Sequence, residues 1–201
     1  MIIYLMRHGE TEWNKLGRLQ GQSDIPLNEA GIELAEQTAE CLRDVDFDAV
    51  FSSPLKRALV TARIMIGDRN VAVETDDRLK EIHFGAYEGQ SFGAGQPNAE
   101  HPLARPESYV PVGGGESIGE AKARAWSFLE EKILPLEGRL RADGNILIVA
   151  HGGINRCILN QIGDIPDRDF WRIMLPNCAV SVLSLEKGQL RVQAELLREF
   201  R

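Results

Sequence analysis

The stretch Ile2-Ile3-Tyr4-Leu5-Met6-Arg7-His8-Gly9-Glu10-Thr11 begins with five apolar residues and breaks at Arg7 into a polar turn. So short an apolar run suits a strand buried on both faces better than a helix. A second run, Ile146-Leu147-Ile148-Val149, leads in the same way into Ala150-His151-Gly152-Gly153. Two more, Ala49-Val50-Phe51 and Val71-Ala72-Val73, lie between them. Longer stretches of helical periodicity separate the four. This alternation predicts an α/β three-layer sandwich, a mostly parallel central sheet with helices on both faces.

The helical stretches have definite starts. Asn28 is placed to cap a helix with Ile32, Ala35, Ala39 and Leu42 on one face. Pro54 suits the first turn of the next, whose stripe is Leu55, Ala58, Ala62 and Met65. Ser117 and Glu120 read as a capping box opening a long helix with Ile118, Ala121, Ala125, Phe128 and Ile133 inward. A shorter helix is expected from just after His151 to about Ile162.

Towards the C-terminus the period changes to two. Leu190, Val192, Ala194 and Leu196 alternate with Arg191, Gln193 and Glu195, and Cys178 to Leu185 precedes them across Glu186-Lys187-Gly188-Gln189. That pattern adds an antiparallel hairpin to the sheet. Residues 85–115 are rich in Gly and Pro and lack periodicity, which predicts a short lid insertion in a single domain spanning 1–201.

Composition narrows the partners. A chain of 201 residues is enough for one well-cored domain. A net charge of −7 with no Lys/Arg-rich run argues against nucleic acid. No apolar run reaches the roughly 18–20 residues that span a bilayer, and the N-terminal one stops at Arg7, too soon for a signal peptide. A cytoplasmic protein without a membrane partner is therefore expected. Cys41, Cys157 and Cys178 form no CxxC pair and no zinc-ligand spacing, so they read as free thiols; no metal or other cofactor is expected.

In an open α/β sheet, ligands bind outside the carboxyl ends of the strands. His8 and His151 each follow a strand, so they fall on one edge, each next to a glycine that lets backbone approach a ligand. The helix after Gly152 would offer amide N–H groups to an anion. Arg57, in the first turn after Ser52-Ser53-Pro54, projects from the same edge, as does Arg7. Two arginines, two histidines and a helix N-terminus make an anion site, for which phosphate is the natural guest.

The run Leu5-Met6-Arg7-His8-Gly9-Glu10-Thr11-Glu12-Trp13-Asn14 resembles the signature of the histidine phosphatase superfamily, or phosphoglycerate mutase-like family. The resemblance continues through Gly17-Arg18-Leu19-Gln20-Gly21, Asp24-Ile25-Pro26-Leu27, Ser52-Ser53-Pro54-Leu55 with Arg57, Leu79 with Glu81, Glu88-Gly89, Gly115-Glu116-Ser117 and Val149-Ala150-His151-Gly152-Gly153. It implies that His8 carries a phosphoryl group, that Arg7, Arg57 and His151 hold that group, and that Asn14, Gln20, Gly21 and Gly152 contact phosphate or substrate. Glu81 would protonate the leaving oxygen and later activate water, with no metal or cofactor. The partner implied is a small phosphate ester; the assembly is left open between a monomer and a homodimer, for which the C-terminal hairpin could supply a pairing edge.

Within this family the competing expectation is a cofactor-dependent phosphoglycerate mutase, which resembles its relatives in a longer, more basic insertion. Here Arg105 and His101 are the only basic residues between Gly85 and Gly115, which favours hydrolysis. An inactive binding protein is the remoter alternative, since every matched catalytic position is filled. Phe84, Tyr87, Phe92 and Tyr109 are expected to hold the lid down rather than touch substrate; Tyr87 stands where many members have tryptophan.

Overall fold

In the computed structural model, which describes residues 1–91 and 103–194, four parallel strands make up one side of a six-stranded sheet. β1 (Ile2–Arg7) pairs with β4 (Asn145–Ala150), β4 with β2 (Ala49–Ser52), and β2 with β3 (Val73–Thr75). β5 (Val180–Glu186) adds antiparallel to the free side of β1, and β6 (Gln189–Ala194) completes the order β3-β2-β4-β1-β5-β6. The hairpin turn is tighter than the sequence suggests: Glu186 pairs with Gln189, leaving only Lys187 and Gly188, both at positive φ. A two-residue turn of this hand matches the twist of the flanking strands.

Helices cover both faces. They are α1 (Glu12–Lys15), α2 (Glu29–Cys41), α3 (Lys56–Ile66), α4 (Ile118–Phe128) and α5 (Gly152–Ile162). Alternate strand residues serve opposite faces, as the pleat requires. Ile3, Leu5, Phe51, Ile146 and Ile148 pack with Ile118, Ala121, Ala125, Ile154 and Ile158 of α4 and α5. Met6, Val50, Leu147 and Val149 pack with Ala35, Ala58, Ala62 and Met65 of α2 and α3. Burying a side chain the size of Ile148 or Leu147 fully contributes roughly 1.5–3 kcal/mol. Three layers result.

Three details differ from the sequence reading. β3 is Val73–Thr75, not Val71–Val73, because its register follows β2 (Val50 to Val73, Ser52 to Thr75) rather than its own apolar residues. Ile32 is 39% exposed: Gly31, whose absent Cβ would lie 2.1 Å from the Glu10 carbonyl oxygen, takes the inward place beside Ala35. Pro54 precedes the N-cap Leu55 instead of lying in the first turn of α3. The Ser117/Glu120 capping box is present, and after Phe128 the helix widens into a π turn, Leu129–Ile133, that keeps Ile133 buried.

Phe84 and Tyr109 are buried and Tyr87 packs against the core. Phe92, His101, Glu195 and Leu196 lie outside the described residues. Among the described residues no helix is long and apolar enough to cross a membrane.

Candidate active site

The carboxyl ends of β1, β2 and β4 deliver His8, Ser53 and His151 to one place. His8 is 2% exposed, and its ring centroid lies 5.1 Å from that of His151. Nδ1 of His8 sits 2.6 Å from the Gly9 carbonyl oxygen, which can only accept, so Nδ1 carries the hydrogen. The neutral ring then has its lone pair on Nε2. Burial first, and then Arg57 and Arg7, hold the His8 pKa well below its ordinary 6.5. The ring is a neutral base in a positive setting.

Arg57 is fully buried on the first turn of α3. Its Nε donates to His151 Nδ1 (3.1 Å), one terminal nitrogen to the Ser23 carbonyl (2.7 Å) and the other to the Gly21 carbonyl (2.7 Å). Because His151 Nδ1 accepts, its Nε2 bears the hydrogen and donates to Ser53 Oγ at 2.8 Å. Burial lowers the His151 pKa well below 6.5, with Arg57 the next cause, and pulls Arg57 itself down to about 10. Arg7 donates to the Leu175 carbonyl at 2.6 Å, while its Nε is buried with no hydrogen-bond partner among the described residues. Buried donors are rarely left so, and a bound anion is one way to complete the Arg7 Nε–H. The Oε1 of Gln20, which can only accept, is also without a partner among the described residues.

Glu81 lies in the irregular segment 80–84 and reaches across to α5. Its Oε2 accepts from Gly153 N (3.0 Å), and its Oε1 from Ile154 N (3.0 Å) and Ile82 N (2.9 Å). The helix amides expected to face an anion are therefore occupied, at Gly153 and Ile154, by the protein's own carboxylate. Gly153 is required for this approach: a Cβ there would sit 2.6 Å from Glu81 Oε1. Gly9, by contrast, is required by packing and not by a ligand, since its Cβ would lie 2.5 Å from the Gly31 carbonyl oxygen.

The remaining expected residues are set further back. Asn14 closes a capping box with Thr11, and its Oδ1 also accepts from Asn177 Nδ2 at 3.2 Å, leaving its own Nδ2 for other partners. Gly21 contributes its carbonyl to Arg57, with the Glu88 carboxylate filling the space a side chain would need. Gly152 begins α5, and its absent Cβ would lie 3.5 Å from Arg7 Nε.

The sequence reading missed four contributors. Ser53 orients His151. Asn177 donates to the His8 and Gly9 carbonyls at 3.1 and 3.0 Å. Glu88 gathers the Gln22 and Ser23 amides at 2.9 Å each, shaping the loop that holds Arg57. Arg156, one turn into α5, bonds the Gly152 carbonyl at 2.8 Å and stacks on Trp171, its pKa lowered by burial and then by Arg7 to about 10. Ser53 and Glu88 fall within the motifs that carry the family resemblance but had no role assigned, and Arg156 left a trace as an arginine four residues after Gly152.

A neutral imidazole with an open nitrogen, ringed by guanidinium groups and faced by one carboxylate, defines an α/β enzyme of phosphoryl transfer. Residues 3–195 match the model of the histidine phosphatase superfamily (branch 1), and the chain belongs to that family. It is 32% identical over 189 residues to "Probable phosphoglycerate mutase GpmB" of Yersinia pestis (strain Pestoides F), covering 92% of this chain and 86% of that protein. The solved alpha-ribazole phosphatase from Shigella flexneri superposes with a TM-score of 0.83 at 26% identity, over 100% of both chains. A phosphoserine phosphatase from Entamoeba histolytica, solved with 3-phosphoglyceric acid, superposes at 0.80 with 30% identity, over 96% of this chain and 95% of that one.

Proposed function

We propose that this protein is a phosphomonoesterase that hydrolyses small phosphate esters through a phosphohistidine on His8, without a metal. The observation that carries the reading is the bond from His8 Nδ1–H to Gly9, which leaves Nε2 unprotonated. In the first step Nε2 attacks phosphorus, the ester P–O bond breaks, and Glu81 gives its proton to the departing oxygen. In the second, water loses a proton to Glu81 and attacks phosphorus, the N–P bond breaks, and His8 returns neutral. Glu81 Oε1 already accepts two hydrogen bonds and Oε2 one, so Oε2 is the atom with room to carry the proton.

Arg7 and Arg57 stabilise charge on the equatorial oxygens, and His151 joins them by turning its Nε2–H from Ser53 Oγ to a phosphoryl oxygen. Donors of this kind are worth about 10²–10³-fold each when preorganised. Gln20, Asn14, Gly21 and Gly152 line or brace the phosphate cradle.

A mutase is the second reading, favoured by the resemblance to the Yersinia protein. Arg105, the only Lys or Arg between residues 85 and 115, is exposed, which argues against the basic cap that retention of a sugar-acid substrate requires. Turnover of a phosphomonoester panel in EDTA, with 3-phosphoglycerate included and products identified, separates the two. Free phosphate is the expected product; isomerised 2-phosphoglycerate would establish the mutase.

A further inference from the structure

Glu81 sits on a segment with no regular structure, yet its carboxylate must be placed on three amides and against a substrate. Something outside the segment has to hold it. The Gly115-Glu116-Ser117 motif, whose Glu116 has no part in the chemistry above, supplies the answer together with a residue one helix away.

Arg124, on α4, sends one terminal nitrogen to the Arg78 and Lys80 carbonyls at 2.6 and 2.7 Å. The other reaches the Glu81 carbonyl at 2.9 Å. The guanidinium is fixed by a two-pronged pair with Glu116, Nε to Oε2 at 2.8 Å and the second nitrogen to Oε1 at 2.5 Å. Glu116 also accepts from His83 N at 2.9 Å, and its own amide donates to the His83 carbonyl at 2.8 Å. Gln22 Nε2 adds a second bond to the Glu81 carbonyl, at 3.2 Å. Both members of the ion pair are mostly buried, with side chains 20% and 16% exposed. Residues 78–83 are thus gripped at four backbone carbonyls and one amide.

We propose that Arg124, locked by Glu116, is the positioning residue for the Glu81 carboxylate. Its guanidinium fork aligns three carbonyls at once, a task that the single ammonium of lysine cannot reproduce. Its place just past the midpoint of α4 ties Glu81 to the rigid core rather than to the lid. Arg124 touches no reacting atom; it acts through the backbone that carries Glu81.

The kinetic side of this inference rests on the phosphatase reading, whereas the structural side does not. Hydrogen exchange of the Gly153 and Ile154 amides reports whether Glu81 remains seated on them. Arg124→Gln should speed their exchange about 10-fold or more, while Leu147 and Ile148 in β4 keep wild-type protection. Unchanged exchange at Gly153 and Ile154 would overturn the proposal whatever the enzyme does.

In turnover, Arg124→Gln should lower kcat about 10-fold or more for an alkyl phosphate and far less for p-nitrophenyl phosphate, whose leaving group needs no acid, with KM nearly constant. Combined with Glu81→Gln it should cause no further loss. Equal losses on both esters, or additive losses in the double variant, would contradict positioning. Should Arg124→Gln fold poorly, Glu116→Gln carries the same readouts, and Arg124→Lys should fall between it and wild type. A wild-type protein that hydrolyses neither ester would refute the phosphatase reading and leave the exchange result to decide the role of Arg124.

Discussion

Arg57 ties two parts of the site together, the strand end that carries His151 and the loop at Gly21 and Ser23. Nε fixes the tautomer of His151, and the terminal nitrogens hold the carbonyls of Gly21 and Ser23. Lysine keeps the charge but lacks the fork, so Arg57→Lys should lower kcat/KM about 10²-fold or more and reduce stability in urea as well. A kcat/KM within about threefold of wild type would show that charge alone suffices. Arg7, His8, Arg57 and His151 were legible in the sequence because a strand end or a helix start announces each position. Glu81 was legible only through family resemblance. Its segment has no period, and its anchors Arg124 and Gln22 are 43 and 59 residues away. Ser53 stood in a matched motif without a role and Asn177 gave no signal, since short polar residues in turns look alike until their partners are known.

At the level of elements, two glycines test whether close approach or mere freedom explains them. A Cβ at Gly9 would meet the Gly31 carbonyl at 2.5 Å, where β1 hands over to the start of α2 and neither backbone has room to yield. Gly9→Ala should destabilise the fold by roughly 1–3 kcal/mol in urea and disturb His8 beside it. Gly119, exposed in the first turn of α4, has no neighbour closer than 3.9 Å to its virtual Cβ. There the same substitution should stabilise by roughly 0.5–1 kcal/mol, because alanine restricts the unfolded chain and favours helix. Matching signs in the two variants would contradict the packing described here. Strong periods were readable: the capping box at Ser117, the α4 stripe and the hairpin alternation all appear. What failed was the edge. β3 carries exposed Glu74 and Thr75, so its pairing with β2 had no hydrophobic trace.

For the whole molecule, the two buried histidines link stability to pH. Both are held neutral, with folded pKa values well below the unfolded 6.5, chiefly by burial and then by Arg57. Below 6.5 the unfolded chain binds protons that the folded one refuses. Their contribution is therefore complete above that pH and is lost as pH falls through it. The slope is up to about 1.4 kcal/mol per pH unit for each histidine. Urea unfolding between about pH 7.5 and about pH 5 should show the loss, and His8→Gln should make it shallower. An unchanged slope in that variant would mean that His8 takes up its proton while folded. The same depression keeps Nε2 of His8 free at mildly acidic pH, so the acid limb of kcat/KM should not be set by this ring near 6.5.

The most direct test is the covalent intermediate itself. A reaction with a good substrate, quenched in alkali where phosphohistidine survives and digested for mass spectrometry, should place a phosphoryl group on the peptide containing His8. His8→Ala should show neither the adduct nor turnover. Phosphate release without any phosphoenzyme, or a phosphoryl group on another residue, would contradict the mechanism at its first step.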